Sequence, residues 1–253
     1  MKKFIKFLIR NVPRPVLIRG SYLFSIIIRP FYFGNNVECP ICCKRFRKFL
    51  PYGSKAKDNR LCPYCLSLER HRLIWLYLNN HSDFFKREYK VLHFAPEQPF
   101  IKRFKRLQNL DYTTADIVSP IADIHIDITK IPLNDNSYDI VFANHVLEHV
   151  TDDIAAMKEI FRILKPEGWA ILQVPVNYSS KITLEDPSVT TSREREKLFG
   201  QYDHVRLHGL DYPERLKTAG FSIEEFDVKK YYTNEILKYR LDEQEILYIA
   251  KKH

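Results

Sequence analysis

Residues 131–149 read IPLNDNSYDIVFANHVLEH, and this stretch decides the fold. Its middle, Tyr138–Ala143, is a continuous apolar run, as in strands that are buried on both faces of a parallel sheet. Polar and titratable residues follow at once, beginning with Asn144 and His145. Ligands of such sheets bind beyond the carboxyl ends of the strands. The stretch therefore predicts a buried strand that leads directly into a binding site.

Apolar segments of strand length and amphipathic segments of helix length alternate around this stretch. The predicted strands are 90–94, 112–116, 169–174, 222–228 and 246–250, and the predicted helices are 66–79, 100–107, 154–164 and 212–219. Such alternation predicts an α/β fold with a mostly parallel sheet and helices on both faces. The 253 residues allow one domain of this kind and a small additional module.

Three motifs in this region resemble the type 11 group of class I, Rossmann-like methyltransferases, which use S-adenosyl-L-methionine. The motifs are IPLNDNSYD at 131–139, NHVLEH at 144–149 and LKPEG at 164–168. The resemblance implies a Rossmann-like sheet of seven strands, most of them parallel, with helices on both faces. It also implies S-adenosyl-L-methionine as the methyl donor.

The resemblance further implies roles for residues at the carboxyl ends of the strands. Asp116 ends the second strand, where an acid accepts the ribose hydroxyls of the cofactor. Asp127 resembles the acid that meets the adenine amino group, and Ile128 would lie against the adenine ring. Asn144 and His145 would line the methionine tail and the transfer site. His145 is also a candidate catalytic base.

One loop departs from the family pattern. Family members end the first strand with an acid and several glycines, whereas residues 91–99 read VLHFAPEQP and contain no glycine. Glycine lets backbone N–H groups approach a ligand closely. We expect His93 and Ala95 to line the cofactor, Ala95 standing in for the first glycine, and Glu97 to meet the cofactor's ammonium group. The departure leaves open a non-catalytic binding protein whose cofactor loop is degenerate.

All five cysteines lie between positions 39 and 65, four of them in two C-P-x-C knuckles. The knuckle residues are Cys39, Cys42, Cys62 and Cys65. Paired knuckles have the spacing of a four-thiolate zinc site, which is closed and therefore structural. We predict such a zinc ion, with Cys43 as a non-ligand, in a reducing compartment.

A long insert at 176–210 follows the predicted strand 169–174. Long inserts in compact domains are usually functional, and we expect this one to be a lid over the substrate. It contains YDHVRLH at 202–208, where we predict His204 as a base or substrate contact and Arg206 as an anion contact. The alternative is a solvated loop held by local salt bridges.

Positive charge is concentrated at the front of the chain. Residues 1–90 contain 19 Lys and Arg against 5 Asp and Glu, although the net charge of the whole chain is +9. In the amino-terminal part, Phe4, Phe7 and Leu8 have helical spacing, but no uninterrupted apolar run is long enough to span a membrane. We expect this segment to lie on an acidic membrane surface, to contact RNA or to pack on the body of the protein.

These patterns predict three parts: a basic amphipathic segment at 1–36, a zinc module with its linking helix at 37–80 and a methyltransferase domain at 81–253. The leading prediction is a cytoplasmic methyltransferase for a small-molecule, glycan or lipid-linked acceptor, in peripheral contact with the inner membrane face. A second prediction is an RNA methyltransferase whose zinc module grips RNA. The third is the non-catalytic binding protein.

Overall fold

The computed structural model describes Val12, residues 14–53 and residues 57–253. In that part of the chain the helices are α1 Arg14–Ile28, α2 Glu69–Asn80, α3 Gln98–Phe104, α4 Asp153–Ile163, α5 Ser192–Phe199, α6 Tyr212–Thr218, α7 Val228–Tyr232 and α8 Ile236–Tyr239. The strands are β1 Phe33–Cys39, β2 Lys44–Phe46, β3 Leu50–Tyr52, β4 Lys57–Leu61, β5 Tyr89–Phe94, β6 Leu110–Asp116, β7 Ile124–His125, β8 Tyr138–Ala143, β9 Leu164–Ile171, β10 Leu184–Glu185, β11 Arg206–Leu207, β12 Ser222–Asp227 and β13 Ile246–Lys251.

Seven strands form the central sheet, in the order β12-β13-β9-β8-β5-β6-β7. The strands from β9 to β7 are parallel, and β13 runs antiparallel to both of its neighbours. Phe94 pairs with Ala115 on one side and with Ala143 on the other, so β5, β6 and β8 end at the same edge. The predicted seven-stranded, mostly parallel, Rossmann-like sheet is confirmed, and this carboxyl edge is where such sheets bind ligands.

The helix ends follow ordinary capping chemistry. Asp152 accepts a hydrogen bond from the Ala155 backbone N–H at 2.8 Å and begins α4. Gly220 follows α6 with φ of 108°, a conformation that favours glycine. The apolar pattern did not predict α5, because its sequence SREREKLF carries no apolar stripe. A reciprocal capping box between Thr191 and Glu194 begins that helix.

Each face of the sheet has its own apolar core. On one face the core includes residues of α4 and α6, such as Ile160 and Leu216. On the other face, Phe46 and Phe49 of the cysteine-rich segment belong to the same core as Phe142 of the sheet. Apolar burial stabilises by roughly 25 cal/mol per Å², so the cysteine-rich segment and the sheet stabilise each other through a shared core.

Arg72 of α2 joins the cysteine-rich segment to the end of α8. Its side chain is fully buried and donates to the backbone carbonyls of Tyr239 at 2.6 Å and Arg240 at 2.7 Å. It also donates to the carbonyl of Ser67 at 2.9 Å, and its guanidinium lies 4.6 Å from the centre of the Phe49 ring. A buried charge needs such partners, because an unpaired one is costly.

The predicted spacing of Phe4, Phe7 and Leu8 lies outside the described residues. In the part that the structure does describe, α1 exposes large apolar side chains. They are Val16, Leu23, Phe24, Ile26 and Ile27. Among the described helices, none combines the length and the apolar character needed to cross a bilayer.

Candidate active site and metal centre

The four knuckle cysteines converge on one point. Their sulfur atoms all lie within 4.8 Å of one another, with 3.5 Å between Cys39 and Cys65 and 3.8 Å between Cys42 and Cys62. Thiolates around a tetrahedral zinc ion are about 3.8 Å apart for Zn–S bonds of about 2.3 Å. The donor set and its spacing therefore fit zinc. Cys43 is exposed and lies outside the cluster.

A cavity of about 710 Å³ opens at the carboxyl edge of the sheet. Five of its lining residues were predicted as cofactor contacts from the sequence: Ala95, Asp116, Asp127, Ile128 and His145. They come from four segments, namely the end of β6 and the loops that follow β5, β7 and β8. The parallel register of these strands brings residues distant in sequence to a single site.

The two aspartates of the cavity are held by their own loops. Oδ1 of Asp116 accepts from the backbone N–H groups of Val118 at 2.9 Å and Ser119 at 2.8 Å. Oδ1 of Asp127 accepts from the backbone N–H and the hydroxyl of Thr129, and these hydrogen bonds lower the pKa of Asp127. Hydrogen bonds from their own loops thus fix the position of both carboxylates.

Two residues without glycine's freedom have left-handed backbones at the cavity. Ala95 has φ of 45°, and His145 has φ of 55°. Each conformation costs a residue with a Cβ roughly 1–2 kcal/mol. Hydrogen bonds hold both turns, from the Ala95 N–H to the Ala115 carbonyl at 2.8 Å and from the His145 N–H to the Gln173 carbonyl at 2.7 Å. Ala95 therefore adopts a conformation that glycine would adopt without strain.

The remaining predicted cofactor residues, His93, Glu97 and Asn144, are not among those that line the cavity. Glu97 turns inward because partners from α2 hold it: Oε1 lies 2.5 Å from Nε2 of His71 and 3.3 Å from Nε of Arg70. Its other oxygen, Oε2, accepts from Nδ2 of Asn144 at 3.0 Å. The carboxylate of Glu97 thus joins α2 to the strand end at Asn144.

The ionisation of this buried group follows from its contacts. Burial alone would raise the pKa of Glu97, but His71 and Arg70 hold it well below its usual range. Nδ1 of His71 accepts from the Leu68 backbone N–H at 2.9 Å, so Nε2 carries the proton and donates to Glu97. Burial lowers the pKa of His71, in agreement with a neutral ring.

His93 packs within an aromatic group on β5. Nδ1 lies 2.8 Å from the Tyr112 hydroxyl, and the ring contacts Phe100 and Phe142. Burial lowers the pKa of His93 to about 4, so the ring is neutral at physiological pH. His93 is thus a buried packing residue at the end of β5.

His145 is paired with a buried carboxylate. Nδ1 of His145 donates to Oε1 of Glu148 at 3.1 Å, so Nε2 carries the lone pair. That Nε2 atom is buried without a hydrogen-bond partner among the described residues. Burial would raise the pKa of Glu148, but the hydrogen bond with His145 lowers it. An imidazole oriented by a carboxylate is an arrangement suited to accepting a proton.

The insert at 176–210 folds back over the end of β8. Arg206 is buried, and its guanidinium donates to the carbonyls of Leu147 at 2.8 Å, Val150 and Thr151 at 2.8 Å. Its Nε donates to Glu185 at 3.0 Å. The guanidinium thus donates its hydrogen bonds to groups of the protein itself. Arg206 thus joins the insert to the segment after β8.

Gly209 lies where two backbone segments of the insert pack closely together. A Cβ atom on Gly209 would lie 2.6 Å from the carbonyl carbon of Ile182, so no larger residue fits without a backbone shift. His204 is 3% exposed and lies with its ring 4.8 Å from that of His149. Burial lowers the pKa of His204, opposed in part by Glu148. The insert therefore brings His204 to the segment after β8.

Sequence reasoning missed Glu245, which precedes β13 at the same edge of the sheet. Its Oε1 accepts from Nε2 of Gln173 at 2.5 Å. Burial raises the pKa of Glu245, and His145 opposes that rise. The run LDEQE at 241–245 has no recognisable motif. Only the antiparallel entry of β13 into the sheet brings this carboxyl to the functional edge.

Part of the chain is similar in sequence to known methyltransferases. Residues 77–172 match the methyltransferase domain family. A Mycolicibacterium smegmatis protein named "Probable S-adenosylmethionine-dependent methyltransferase" is 29% identical over 127 residues, 48% of this chain and 45% of the relative. An uncharacterised methyltransferase of Schizosaccharomyces pombe is 29% identical over 108 residues, 43% of this chain and 35% of the relative. The chain thus spans less than half the length of either relative.

Among solved structures, the cyclase SpnF superimposes with a TM-score of 0.50 over 92% of this chain and 94% of that one, at 14% identity. At this identity the likeness concerns the fold alone, and it extends over almost the whole of both chains. The family match, the sequence relatives and the shared fold identify residues 77–172 as a methyltransferase domain with the Rossmann-like fold of the S-adenosylmethionine-dependent enzymes.

Proposed function

We propose that the protein transfers a methyl group from S-adenosyl-L-methionine to an acceptor held beneath the lid. The observation that carries this proposal is the cavity at the carboxyl edge, where Asp116, Asp127, Ile128 and His145 meet. Two carboxylates with isoleucine side chains between them suit a nucleoside, which presents hydroxyl and amino donors around an apolar ring. When bound, the cofactor supplies an electrophilic methyl group on a sulfonium.

Residues of this chain have separable roles in that reaction. Asp116 accepts the ribose hydroxyls, and Asp127 accepts the adenine amino group. Ile117 and Ile128 of the cavity lining enclose the ring between them. Methyl transfer to an oxygen or nitrogen also requires removal of a proton. His145 takes that proton at Nε2, and Glu148 orients the ring and stabilises its charged form.

The cysteine cluster holds a structural zinc ion in this proposal. Four thiolates fill the coordination sphere and leave no open position. The metal supports the active site from a distance, because α2 begins just after Cys65 and carries the residues that hold Glu97. Residues 37–80 therefore act as a supporting module for the domain at 81–253.

Calorimetric titration with S-adenosylhomocysteine tests the cofactor site. Asp116→Ala removes hydrogen bonds to a charged acceptor, each worth about 1.5–3 kcal/mol, so we expect roughly 100-fold weaker binding or more. Asp111→Ala is the matched control, because Asp111 is an exposed carboxylate at the opposite end of the same strand. Absence of binding by folded, zinc-loaded wild-type protein would favour the non-catalytic interpretation.

The acceptor is a small molecule, a glycan or a lipid-linked intermediate at the membrane surface. Two observations support the membrane part: residues 1–34 contain seven Lys and Arg and no acid, and α1 exposes apolar side chains. An amphipathic basic segment of this kind binds acidic bilayers by apolar insertion and charge. Peripheral contact with the cytoplasmic membrane face follows from this proposal.

Flotation with lipid vesicles measures this contact. The protein is expected to float with vesicles that contain phosphatidylglycerol and to sediment with phosphatidylcholine alone. Phe24→Ser combined with Ile27→Ser removes two apolar contacts of about 1.5–3 kcal/mol each, so binding should fall at least ~100-fold. Leu237→Ser is the control, because Leu237 is equally exposed, at 72% against 71% for Ile27, but lies on α8. Equal effects of both changes would contradict the proposal.

RNA is the second candidate acceptor. Lys44, Arg45 and Arg47 are exposed on the cysteine-rich segment and could contact phosphates. However, Phe46 and Phe49, which alternate with them, are buried in the core and cannot stack on bases. This burial favours the small-molecule or lipid-linked acceptor, and strongly salt-dependent RNA binding would reverse that preference.

A further inference from the structure

A second group of metal-ligand side chains lies outside the cysteine cluster. The candidate ligand atoms of Glu148, His149 and His204 are all within 4.8 Å of one another. Glu148 and His149 follow β8, whereas His204 belongs to the lid. His149 also lines the cavity, so the group lies at the cavity wall.

The buried polar atoms of this group lack partners in the protein. Oε2 of Glu148 and both ring nitrogens of His204 make no hydrogen bond with the described residues. Glu148 is 1% exposed and His204 is 3% exposed. An unsatisfied buried polar group costs about 1–3 kcal/mol, and such groups are rare in folded proteins. A cation bound among them would satisfy the carboxylate oxygen and one imidazole nitrogen together.

Hydrogen bonds engage one polar atom of Glu148 and one of His149 and leave the other atom of each side chain free to bind a metal ion. Nδ1 of His149 donates to the backbone carbonyl of Asp203 at 3.2 Å, which leaves Nε2 with its lone pair. Oε1 of Glu148 accepts from His145, which leaves Oε2 toward the group. Metal-binding histidines characteristically donate their second nitrogen to a carbonyl or carboxylate in this way.

Two hydrogen bonds to backbone carbonyls hold the lid against the strand end at the same place. The Val205 N–H donates to the Glu148 carbonyl at 2.9 Å, and Arg206 donates to the Leu147 carbonyl at 2.8 Å. Ligand atoms on one zinc ion are roughly 3.4 Å apart at bond lengths of about 2.1 Å. The present upper limit of 4.8 Å is within reach of that value by side-chain rotation.

We propose that Glu148, His149 and His204 bind one divalent metal ion of the zinc class, distinct from the ion of the cysteine cluster. Two imidazoles and one carboxylate are a typical set for zinc that keeps an open coordination position. The ion joins the lid to the strand end. On the proposed methyl-transfer function, its open position at the cavity wall favours acceptors that carry a metal-binding oxygen.

Metal content of the untagged full-length chain tests the site. After equilibration with Zn²⁺ and removal of free metal, elemental analysis is expected to give two zinc ions per wild-type chain. His149→Ala and His204→Ala should each give one. His125→Ala is the matched control and should retain two, because His125 is exposed on β7 and does not belong to the group of candidate ligands. One zinc ion per wild-type chain would overturn the proposal.

Two further measurements keep the result unambiguous. The half-exposed His149 is replaced with little loss of packing, so its variant remains informative if His204→Ala does not fold. Zn²⁺ is also expected to slow tryptic cleavage within 181–197 in the wild type and not in His149→Ala; equal protection of both would contradict the site. S-adenosylhomocysteine titration of the same samples separates the two proposals, because two bound zinc ions without cofactor binding would refute only the methyl-transfer function.

Discussion

His208 lies fully buried on the lid, and neither of its ring nitrogens has a hydrogen-bond partner among the described residues. Burial lowers its pKa to about 4, and the nearby Asp153 and Glu148 only partly oppose this. The unfolded chain protonates this histidine near pH 6.5, whereas the folded protein does so near pH 4. This difference in pKa therefore leaves the free energy of unfolding unchanged above pH 6.5 and lowers it as the pH drops from 6.5 toward 4.

Replacing this residue should flatten the acid limb of the stability curve. For His208→Phe, we expect the loss in free energy of unfolding between pH 7 and pH 5 to be about 2 kcal/mol smaller than in the wild type. Urea denaturation at the two pH values measures the difference. His253→Ala, which removes an exposed histidine, is the control. A pH dependence equal to that of the wild type would show that His208 does not titrate in this way.

At this scale, the positions that the chain itself fixes were predictable. The convergence of the cysteines was predictable from their spacing, and the place of Asp116 at the cavity was predictable from its position at the end of a strand. Glu97 and Arg206 were not, because the direction of a long side chain depends on partners far away in sequence. Glu97 turns toward His71 of α2, and Arg206 turns toward the carbonyl of Leu147.

The lid depends on one buried guanidinium. Arg206→Lys keeps the charge but loses the planar arrangement of donors that reaches Leu147, Val150 and Thr151. Loss of buried partners of a charge costs about 3–5 kcal/mol, so the open lid should be at least ~100-fold more populated. Limited trypsin digestion is expected to cleave within 181–197 faster by a similar factor.

The matched control for the lid is Arg193→Lys, an exposed residue of α5 where trypsin still recognises the substituted side chain. Unchanged cleavage of Arg206→Lys would mean that other contacts hold the lid.

The lid also illustrates how far secondary-structure elements can be predicted from the sequence. Its length and position were readable, but α5, β10 and β11 have no apolar period, and β10 and β11 are two-residue strands that exist only through mutual pairing.

Over the whole molecule, the proposed zinc site and the cofactor cavity are coupled through shared structure. Cys62→Ser should remove the metal, of order 10 kcal/mol of stabilisation, and loosen α2. Because α2 holds Glu97 and thereby Asn144, affinity for S-adenosylhomocysteine should fall at least ~10-fold. Calorimetry measures the affinity, and elemental analysis measures the zinc.

Cys43→Ser is the control, because Cys43 is the exposed fifth cysteine. Wild-type affinity in zinc-free Cys62→Ser would contradict the coupling.

The fold class was predictable from alternating strands and helices, and the seven strands from the family resemblance. The common core of the cysteine-rich segment and the sheet was not predictable, because long-range packing leaves no periodic signal in either segment.

The position of β13 has a consequence for synthesis of the chain. This strand lies between β9 and β12, and β12 has no other partner in the sheet. Until residues 246–251 emerge from the ribosome, β9 therefore presents an open edge and β12 cannot join the sheet. Open edges pair readily with other chains. The nascent protein thus passes through a stage that is prone to aggregation, and a chaperone that shields strand edges would increase its yield.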